Sequence, residues 1–474
     1  DGAPRLFWQC LAQNNLRYAH TADDDAGVDE ICRVLAGLPL GIELAAAQSA
    51  VTGCRTVASR LLGSLDALQS HLRDMPDRQR SLRAVFDDSW TLLSVAEQHA
   101  LAQLALFPTE FGAAAARAIA ATESTLLERL VDQSLLLRVD HERYALHPVV
   151  REFAAARLEA MPELAQAAHA AFAAHYLALL AAHNLAATPA RQRAILSLLA
   201  AEWPNVQVAW RLCCAAAPPA ADGDARRCVA ALDALYHFCL ARSDFQQGRD
   251  LLTAAQDALS SAPVVLRGEV AVRLALFHLR LGDVAVARRS LEEQLHQLGA
   301  LRPEPTATLA LGALNLATVA LHQGDYAATL TLAAQSRARY RQLGDRWGEA
   351  MALNVAGVAH FDRSEFDAAQ QLYRQALAHF GALGDARYAA KVLHNLATSY
   401  DLTGDHTQAL ENFQRALAIH QANGEQWSEA LARNSIGFVY INLGMYAAAE
   451  AELKLAAQQF AALGGRWGEM IVFA

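Results

Sequence analysis

The chain has no C-x-x-C pair, no G-x-x-x-x-G-K-[ST] loop and no excess of positive charge. Its seven cysteines, Cys10, Cys32, Cys54, Cys213, Cys214, Cys228 and Cys239, are odd in number and lack metal-ligand spacing. They are expected as reduced thiols packed like small apolar residues, with vicinal Cys213-Cys214 the one pair placed to act as a redox switch. Without the phosphate loop, a strand-borne Asp pair, G-x-S-x-G or H-E-x-x-H, no hydrolytic chemistry is expected of the chain itself. The net charge of −9 argues against a nucleic-acid or anionic-membrane surface. No apolar run reaches about 18 residues free of charges or breaks, so no transmembrane helix is expected. The start, Asp1-Gly-Ala-Pro-Arg-Leu-Phe-Trp8, has no basic region or cleavage pattern of a signal peptide. These absences fit a cytoplasmic protein.

What is present is alanine and leucine, with few β-branched residues and 13 prolines. That composition favours an almost all-helical chain. At 474 residues, two to four domains are expected.

The C-terminal half repeats itself. Leu343-Gly-Asp-Arg-Trp-Gly-Glu-Ala350, Leu383-Gly-Asp-Ala-Arg-Tyr-Ala-Ala390, Asn423-Gly-Glu-Gln-Trp-Ser-Glu-Ala430 and Leu463-Gly-Gly-Arg-Trp-Gly-Glu-Met470 are spaced forty residues apart. A fixed period of this size means stacked supersecondary units. A turn marker recurs at Ser243, Gly282, Gly324, Ser364, Gly404 and Gly444. Before the last four markers come the small residues Ala317, Gly357, Ala397 and Gly437, and after them the large Tyr340, Phe380, His420 and Phe460. Small residues belong where helices cross closely, and large ones fill the holes beside them.

This pattern resembles the tetratricopeptide repeat, over roughly 226–474, with helices lengthened by one to two turns beyond the usual unit of about 34 residues. The resemblance implies that the first helix of each pair lines a concave face. There Asn354, Asp362, His394, Thr398, Asp401 and Asn434 are the candidate partner-binding residues, suited to a peptide or a small polar ligand. The asparagines have a second reading, as bonds between neighbouring repeats. Trp347, Trp427 and Trp467, with Tyr388 in register, are read as staples packing each first helix onto the previous unit rather than as a recognition ladder. The last repeat is incomplete, so the chain is expected to be part of something longer.

In the N-terminal half, one helix is expected to end at Gly37 and Pro39 to open the next. Ser94 with Glu97 forms a capping box that starts a helix. Short helices are expected around Phe111–Ala121 and Ser124–Gln133. Leu135–Val139 and Arg143–Leu146 then flank the polar turn Asp140-His-Glu142 as a hairpin. His147 precedes Pro148 at a helix start. Gly37-Leu-Pro39-Leu-Gly-Ile-Glu-Leu-Ala46 resembles the nucleotide-domain lid of the STAND (NB-ARC) signalling ATPases. The stretch from Arg80 to Pro108 resembles the opening of their winged helix, and Leu146-His147 their phosphate-sensing motif. The resemblance implies that Pro39 packs on adenine and His147 contacts the β-phosphate of ADP. Pro148 stands where many relatives carry an acid. Ala200-Ala-Glu-Trp203-Pro-Asn205 resembles the segment that joins this winged helix to its repeats, and Pro218-Pro219 marks a linker.

The expected architecture is mainly α: a lid segment over 1–75, a winged helix with one small hairpin over 76–160, a helical spacer over 161–225 and the repeat solenoid over 226–474. The helix at Glu123–Ser134 carries Glu123, Glu128 and Asp132 against Arg129, too acidic for a groove reader, so no nucleic-acid contact is expected of this chain. The resemblance implies the regulatory and sensor part of a nucleotide-switched ATPase. Its repeats would bind a protein or small ligand, its winged helix would hold the ADP-bound off state, and the activated protein would self-associate. ADP or ATP would bind the full-length protein, and not this chain tightly. The competing readings are a plain repeat scaffold and a transcriptional regulator whose DNA-binding domain lies outside the chain.

Overall fold

The forty-residue step is built as six helix pairs. The computed structural model describes residues 2–14, 22–35, 39–63, 82–133, 135–183, 189–215 and 222–462. Contacts divide the chain into two compact units, Asp1–Tyr176 with Pro204–Leu212, and Leu177–Trp203 with Cys213–Ala474.

The first unit opens with helices α1 (Gly2–Asn14), α2 (Ala22–Val34), α3 (Pro39–Thr52) and α4 (Cys54–Gly63). It continues with α5 (Leu82–Leu92), α6 (Val95–Leu104), β1 (Phe111–Gly112), α7 (Ala113–Ala120), α8 (Ser124–Asp132), β2 (Leu137–Arg138), β3 (Arg143–Ala145) and α9 (Pro148–Glu159). Phe7, Leu11, Ile31, Leu35, Ile42 and Val57 form one core, and Val149 of α9 joins it. The segments divided at residue 75 thus share apolar packing. Pro39 opens α3 as expected; its side chain and the preceding Gly37-Leu38 lie outside the described residues.

Ser94 caps α6 through both arms of the capping box, with the Glu97 carboxylate accepting from the Ser94 amide at 2.9 Å. The expected hairpin is β2 and β3, with Leu137 opposite Ala145. One expectation needs correcting. The helix placed around Phe111–Ala121 begins only at Ala113, because Phe111 and Gly112 are extended and pair with Tyr144 and Arg143 as a third strand. Phe111 is buried and stacks on Phe107 at 4.1 Å. Burying that ring on the sheet outweighs the helix propensity of the alanines behind it.

Two long helices follow, α10 (Pro162–Ala181) and α11 (Pro189–Ala215). Contrary to expectation, α10 is long and apolar enough to cross a membrane by length and composition. Its Phe172 and Tyr176 instead pack on Phe107, at 5.1 and 6.4 Å between ring centroids. On α11, Asn205 donates to the carbonyl of Glu110 at 3.1 Å, so the spacer is tied to the loop before β1. Cys213 is disulfide-bonded, whereas Cys10, Cys32, Cys54, Cys214 and Cys239 take part in no disulfide. The expectation of uniformly reduced thiols is corrected, and Cys213 does not bridge to Cys214. The Pro218-Pro219 linker lies outside the described residues.

The array comprises α12 (Asp222–Arg242) with α13 (Phe245–Ala258), α14 (Val264–Arg280) with α15 (Val284–Gly299), and α16 (Thr306–His322) with α17 (Tyr326–Leu343). It continues with α18 (Arg346–Asp362) and α19 (Phe366–Leu383), α20 (Ala386–Leu402) and α21 (His406–Asn423), and α22 (Gln426–Asn442) and α23 (Tyr446–Ala462). All six turn markers are left-handed: Ser243, Gly282, Gly324, Ser364, Gly404 and Gly444 have φ of 57, 93, 74, 61, 82 and 73°. The markers of the first two pairs, Ser243 and Gly282, therefore follow the same register as the other four. This conformation lets the next amide close back on the helix, as when Asp325 donates to the Ala320 carbonyl at 2.9 Å. The Leu-Gly-Asp motif is a stop followed by a start. Gly344 and Gly384 end α17 and α19 with φ of 69°, and Asp345 and Asp385 cap α18 and α20 by accepting from Gly348 and Tyr388 amides at 2.9 and 3.1 Å.

The small row works as its spacing suggests. A Cβ on Gly357 would lie 2.6 Å from Tyr373, and one on Gly437 2.6 Å from Leu453. From α16 onward the helices run 17 or 18 residues, which accounts for the long period.

Candidate ligand cavity on the first helices

The first helices of five successive pairs enclose a cavity of about 320 Å³. Asp233, His237 and Ala241 come from α12, Glu269 and Arg273 from α14, and Ala307 and Leu311 from α16. The starts of α18 and α20 add Asp345, Trp347, Asp385, Arg387 and Tyr388, and Tyr340 contributes from α17. Small residues on α12 and α16, Ala241 and Ala307, leave the space open. The volume is at the lower end of what a small-molecule or peptide side-chain site needs, roughly 300–1,000 Å³.

The polar groups are organised by the repeat. Arg273 pairs with Glu269 one turn earlier, at 2.5 Å, and with Asp233 in the preceding repeat, at 3.1 Å. Arg387 donates to Glu425 in the following repeat at 2.7 Å, and also to the carbonyl of Ala241 at 2.6 Å. The second contact brings α20 against the end of α12, so the array curls round the cavity. Trp347 sits between two further rings, edge-on to His237 at 5.2 Å and to Tyr388 at 5.1 Å. Its indole N–H donates to Asp385 at 3.1 Å.

Burial sets the electrostatics. Asp385 is 1% exposed, and desolvation raises its pKa above the ordinary carboxylate value. Glu425 goes the other way. Burial opposes its charge, but His420 and Arg387 hold its pKa low. Burial lowers the pKa of His237, with Asp233 opposing. The Lys391 ammonium lies 4.8 Å from the Tyr388 ring centroid. Desolvation, then the nearby Arg387, lowers its pKa to about 8.

The sequence-expected partner residues lie elsewhere on the array, and none of them lines this cavity. Asn354 accepts from Asn395 of the next repeat at 3.1 Å. Asn434 is buried. The inter-repeat alternative for the asparagines thus has direct support at Asn354, and Asn315 makes a comparable bond to the Val272 carbonyl at 2.7 Å. His394 packs edge-on to Phe413 at 5.0 Å, within its own helix pair, and burial lowers its pKa to about 4. The Thr398 hydroxyl donates to the carbonyl of His394 one turn back at 3.0 Å. Asp401 accepts from His406 at 2.7 Å and from Asn442 of the next repeat at 3.1 Å. Asp362 is exposed near the end of α18, and desolvation raises its pKa.

Two periodic features of the sequence fall at the cavity, though neither by itself places it. One is the acid that recurs at 345, 385 and 425. The other is the opposite charges of Asp233 and Arg273, 40 positions apart. Two residues of the staple row make contacts beyond those the staple reading expects. Trp347 bonds forward to Asp385, and Trp427 packs on Phe460 of its own pair at 4.9 Å. Tyr388 does stack on the preceding unit, at 5.7 Å from Phe380. Trp467 lies outside the described residues.

In the N-terminal unit, His147 caps α9, its Nδ1 accepting from the Val149 amide at 3.3 Å. On α8, Arg129 is held by Glu97 at 2.9 Å, and Glu128 pairs with Arg138 and accepts from the Tyr144 hydroxyl at 3.1 Å. Among the described residues no group of three His, Cys, Asp or Glu is placed to hold a metal ion.

Comparison with known proteins agrees with the helix pairs. The tetratricopeptide repeat family model matches residues 306–382 and 365–422. A Mycobacterium tuberculosis protein described as an HTH-type transcriptional regulator is 34% identical over 206 residues, 41% of this chain and 23% of that protein. Regulatory protein AfsR of Streptomyces coelicolor is 29% identical over 372 residues, 73% of this chain and 37% of the relative. The matches thus span well under half the length of these relatives. Among solved structures, a signal transduction ATPase with numerous domains and a tetratricopeptide repeat sensor, from Pyrococcus horikoshii, aligns over 99% of this chain and 71% of its own. It does so with a TM-score of 0.46 and 14% identity. Residues 306–422 are tetratricopeptide repeats, and the chain that carries them is similar to bacterial regulatory proteins.

Proposed function

We propose that this chain is the sensor portion of a bacterial signalling regulator, and that its repeat array binds a peptide or small polar ligand in the cavity between α12 and α20. The observation that carries the reading is the cavity itself. Five successive first helices converge on it, and it combines aromatic walls with carboxylates and guanidiniums. A solenoid whose repeats converge on one space turns ligand binding into a change of curvature, which suits a sensor.

The N-terminal unit would be the switch. Its lid-like helices and winged-helix-like segment would clamp a nucleotide domain, with Pro39 on adenine and His147 on the β-phosphate of ADP in the off state. Ligand binding to the array would favour release of that clamp, exchange for ATP and self-association. The sequence resemblance around Pro39 and His147 supports this. The shared core joining Val149 to the lid-like helices also supports it, since it couples the His147 turn to that segment. The names of the relatives favour transcription as the output. The acidic helix α8, whose one arginine is taken by Glu97, favours DNA contact by a different domain.

The test is a fluorescence and calorimetric titration of this chain with a panel of short peptides and polar metabolites, repeated on Trp347→Ala. Saturable binding lost in the variant supports the reading. Binding unaffected by Trp347→Ala, or no binding across the panel, overturns it.

A further inference from the structure

Building on the reading of the cavity as a ligand site, the geometry points to a ligand whose bound end is cationic, an organic ammonium or guanidinium held between the Trp347 wall and the carboxylates of Asp345 and Asp385.

The argument is one of unmatched charge. The lining holds four carboxylates and two guanidiniums. Both guanidiniums are already engaged. Arg273 lies between Asp233 and Glu269, and Arg387 is held by Glu425 and the Ala241 carbonyl. Asp345 and Asp385 are left, and neither forms an ion pair. Asp385 is 1% exposed, and its carboxylate accepts from two neutral donors, the Tyr388 amide and the Trp347 indole. Arg387 and Lys391 act on it only through space, and a desolvated carboxylate hydrogen-bonded only to neutral donors gains more from an arriving cation than an exposed one would. An anionic ligand would meet the same two carboxylates and find no uncommitted guanidinium in the lining.

The aromatic wall supports the same sign. Trp347 stands perpendicular to His237 and to Tyr388, at 85° and 86°. Trp347 and Tyr388 both line the cavity, and an aromatic lining holds a cation through its π electrons. The wall already carries one, since the Lys391 ammonium sits over Tyr388. The cation can come from a free amine or from an arginine or lysine side chain of a peptide. The shared chemistry is the same, and the probes separate the two.

Calorimetric titration of this chain uses agmatine, N-acetyl-arginine methylamide, the matching glutamine derivative as neutral control and the glutamate derivative as anionic control, all to millimolar concentration. The cationic probes are expected to bind and the controls not. Agmatine binding more tightly marks a free amine, and the arginine derivative binding more tightly marks a peptide side chain. Asp345→Asn and Asp385→Asn are each expected to weaken binding about tenfold. Asparagine caps a helix as well as aspartate, so both variants should keep their melting temperature. The cationic inference is overturned if a control binds as tightly as the cationic probes in a Trp347-dependent way, or if both Asn variants bind them unchanged. The former outcome leaves the cavity a ligand site of another kind. No binding by any probe overturns the cationic inference and, if the wider panel also fails, the ligand-site reading with it.

Discussion

Arg387 donates from the first turn of α20 to the carbonyl of Ala241, 146 positions earlier, at 2.6 Å. The same guanidinium binds Glu425 in the next repeat. Most contacts in a solenoid are between neighbours; this one skips three helix pairs. Arg387→Ala should lower stability by about 2 kcal/mol, because it leaves the half-buried Glu425 without its guanidinium. Amide exchange at the end of α12 should rise in the variant. Arg387→Lys should recover only part of the loss, since a single ammonium does not reproduce the planar fork that serves two acceptors. Unchanged exchange at α12 would count against the closure.

The close crossings depend on glycine. Gly357→Ala and Gly437→Ala should each cost about 1–3 kcal/mol, because the added methyl would fall 2.6 Å from Tyr373 and Leu453. Gly381→Ala is the control, since a Cβ there meets nothing within 4 Å. Relief of helical glycine should stabilise it by about 0.5–1 kcal/mol. Urea midpoints of the three variants check the signs.

Two of the six left-handed turns carry serine, Ser243 and Ser364, with φ of 57 and 61°. A side chain is disfavoured there, so Ser364→Gly should raise the urea midpoint by an amount equivalent to about 1 kcal/mol. A fall in midpoint would show that the serine side chain contributes more than the strain costs.

His394 gives the array an acid sensitivity. Burial, with His420 nearby, depresses its folded pKa to about 4 from 6.5. A depressed value means the unfolded chain takes up the proton first. The stability this group contributes is therefore complete above pH 6.5 and lost as pH falls toward 4. His237, depressed by its own burial, adds in the same direction. Melting temperature between pH 7 and pH 4.5 should fall less steeply in His394→Gln, by about one proton's worth of linkage. Parallel curves for the two proteins would refute it.

His147 separates a structural role from a switching one. As the cap of α9 it contributes about 1 kcal/mol. His147→Asn keeps a capping side chain and removes the imidazole. In a longer form that includes a nucleotide domain, this variant should keep its melting temperature and show raised basal nucleotide exchange and output. Unchanged exchange and output would leave His147 as a cap alone.

The sequence alone determined the local geometry of the array. The forty-residue step, the left-handed markers, the Leu-Gly-Asp stop-and-start and the small residues at helix crossings each act within one repeat or between adjacent repeats. Steric and capping rules are short-range, so they can be read from spacing. The capping box at Ser94 and Glu97 and the β2–β3 hairpin were legible for the same reason. The strand at Phe111 was not, because its partner Tyr144 lies 33 or so positions on and the alanines beside it favour helix. Nor was the cavity. Trp347 reads as a staple in the sequence, and nothing in its spacing places His237 of α12 beside it. Which side chains face each other across a solenoid depends on the rotation between successive repeats. That rotation sums small packing terms over many helices, and only the tertiary structure adds them up.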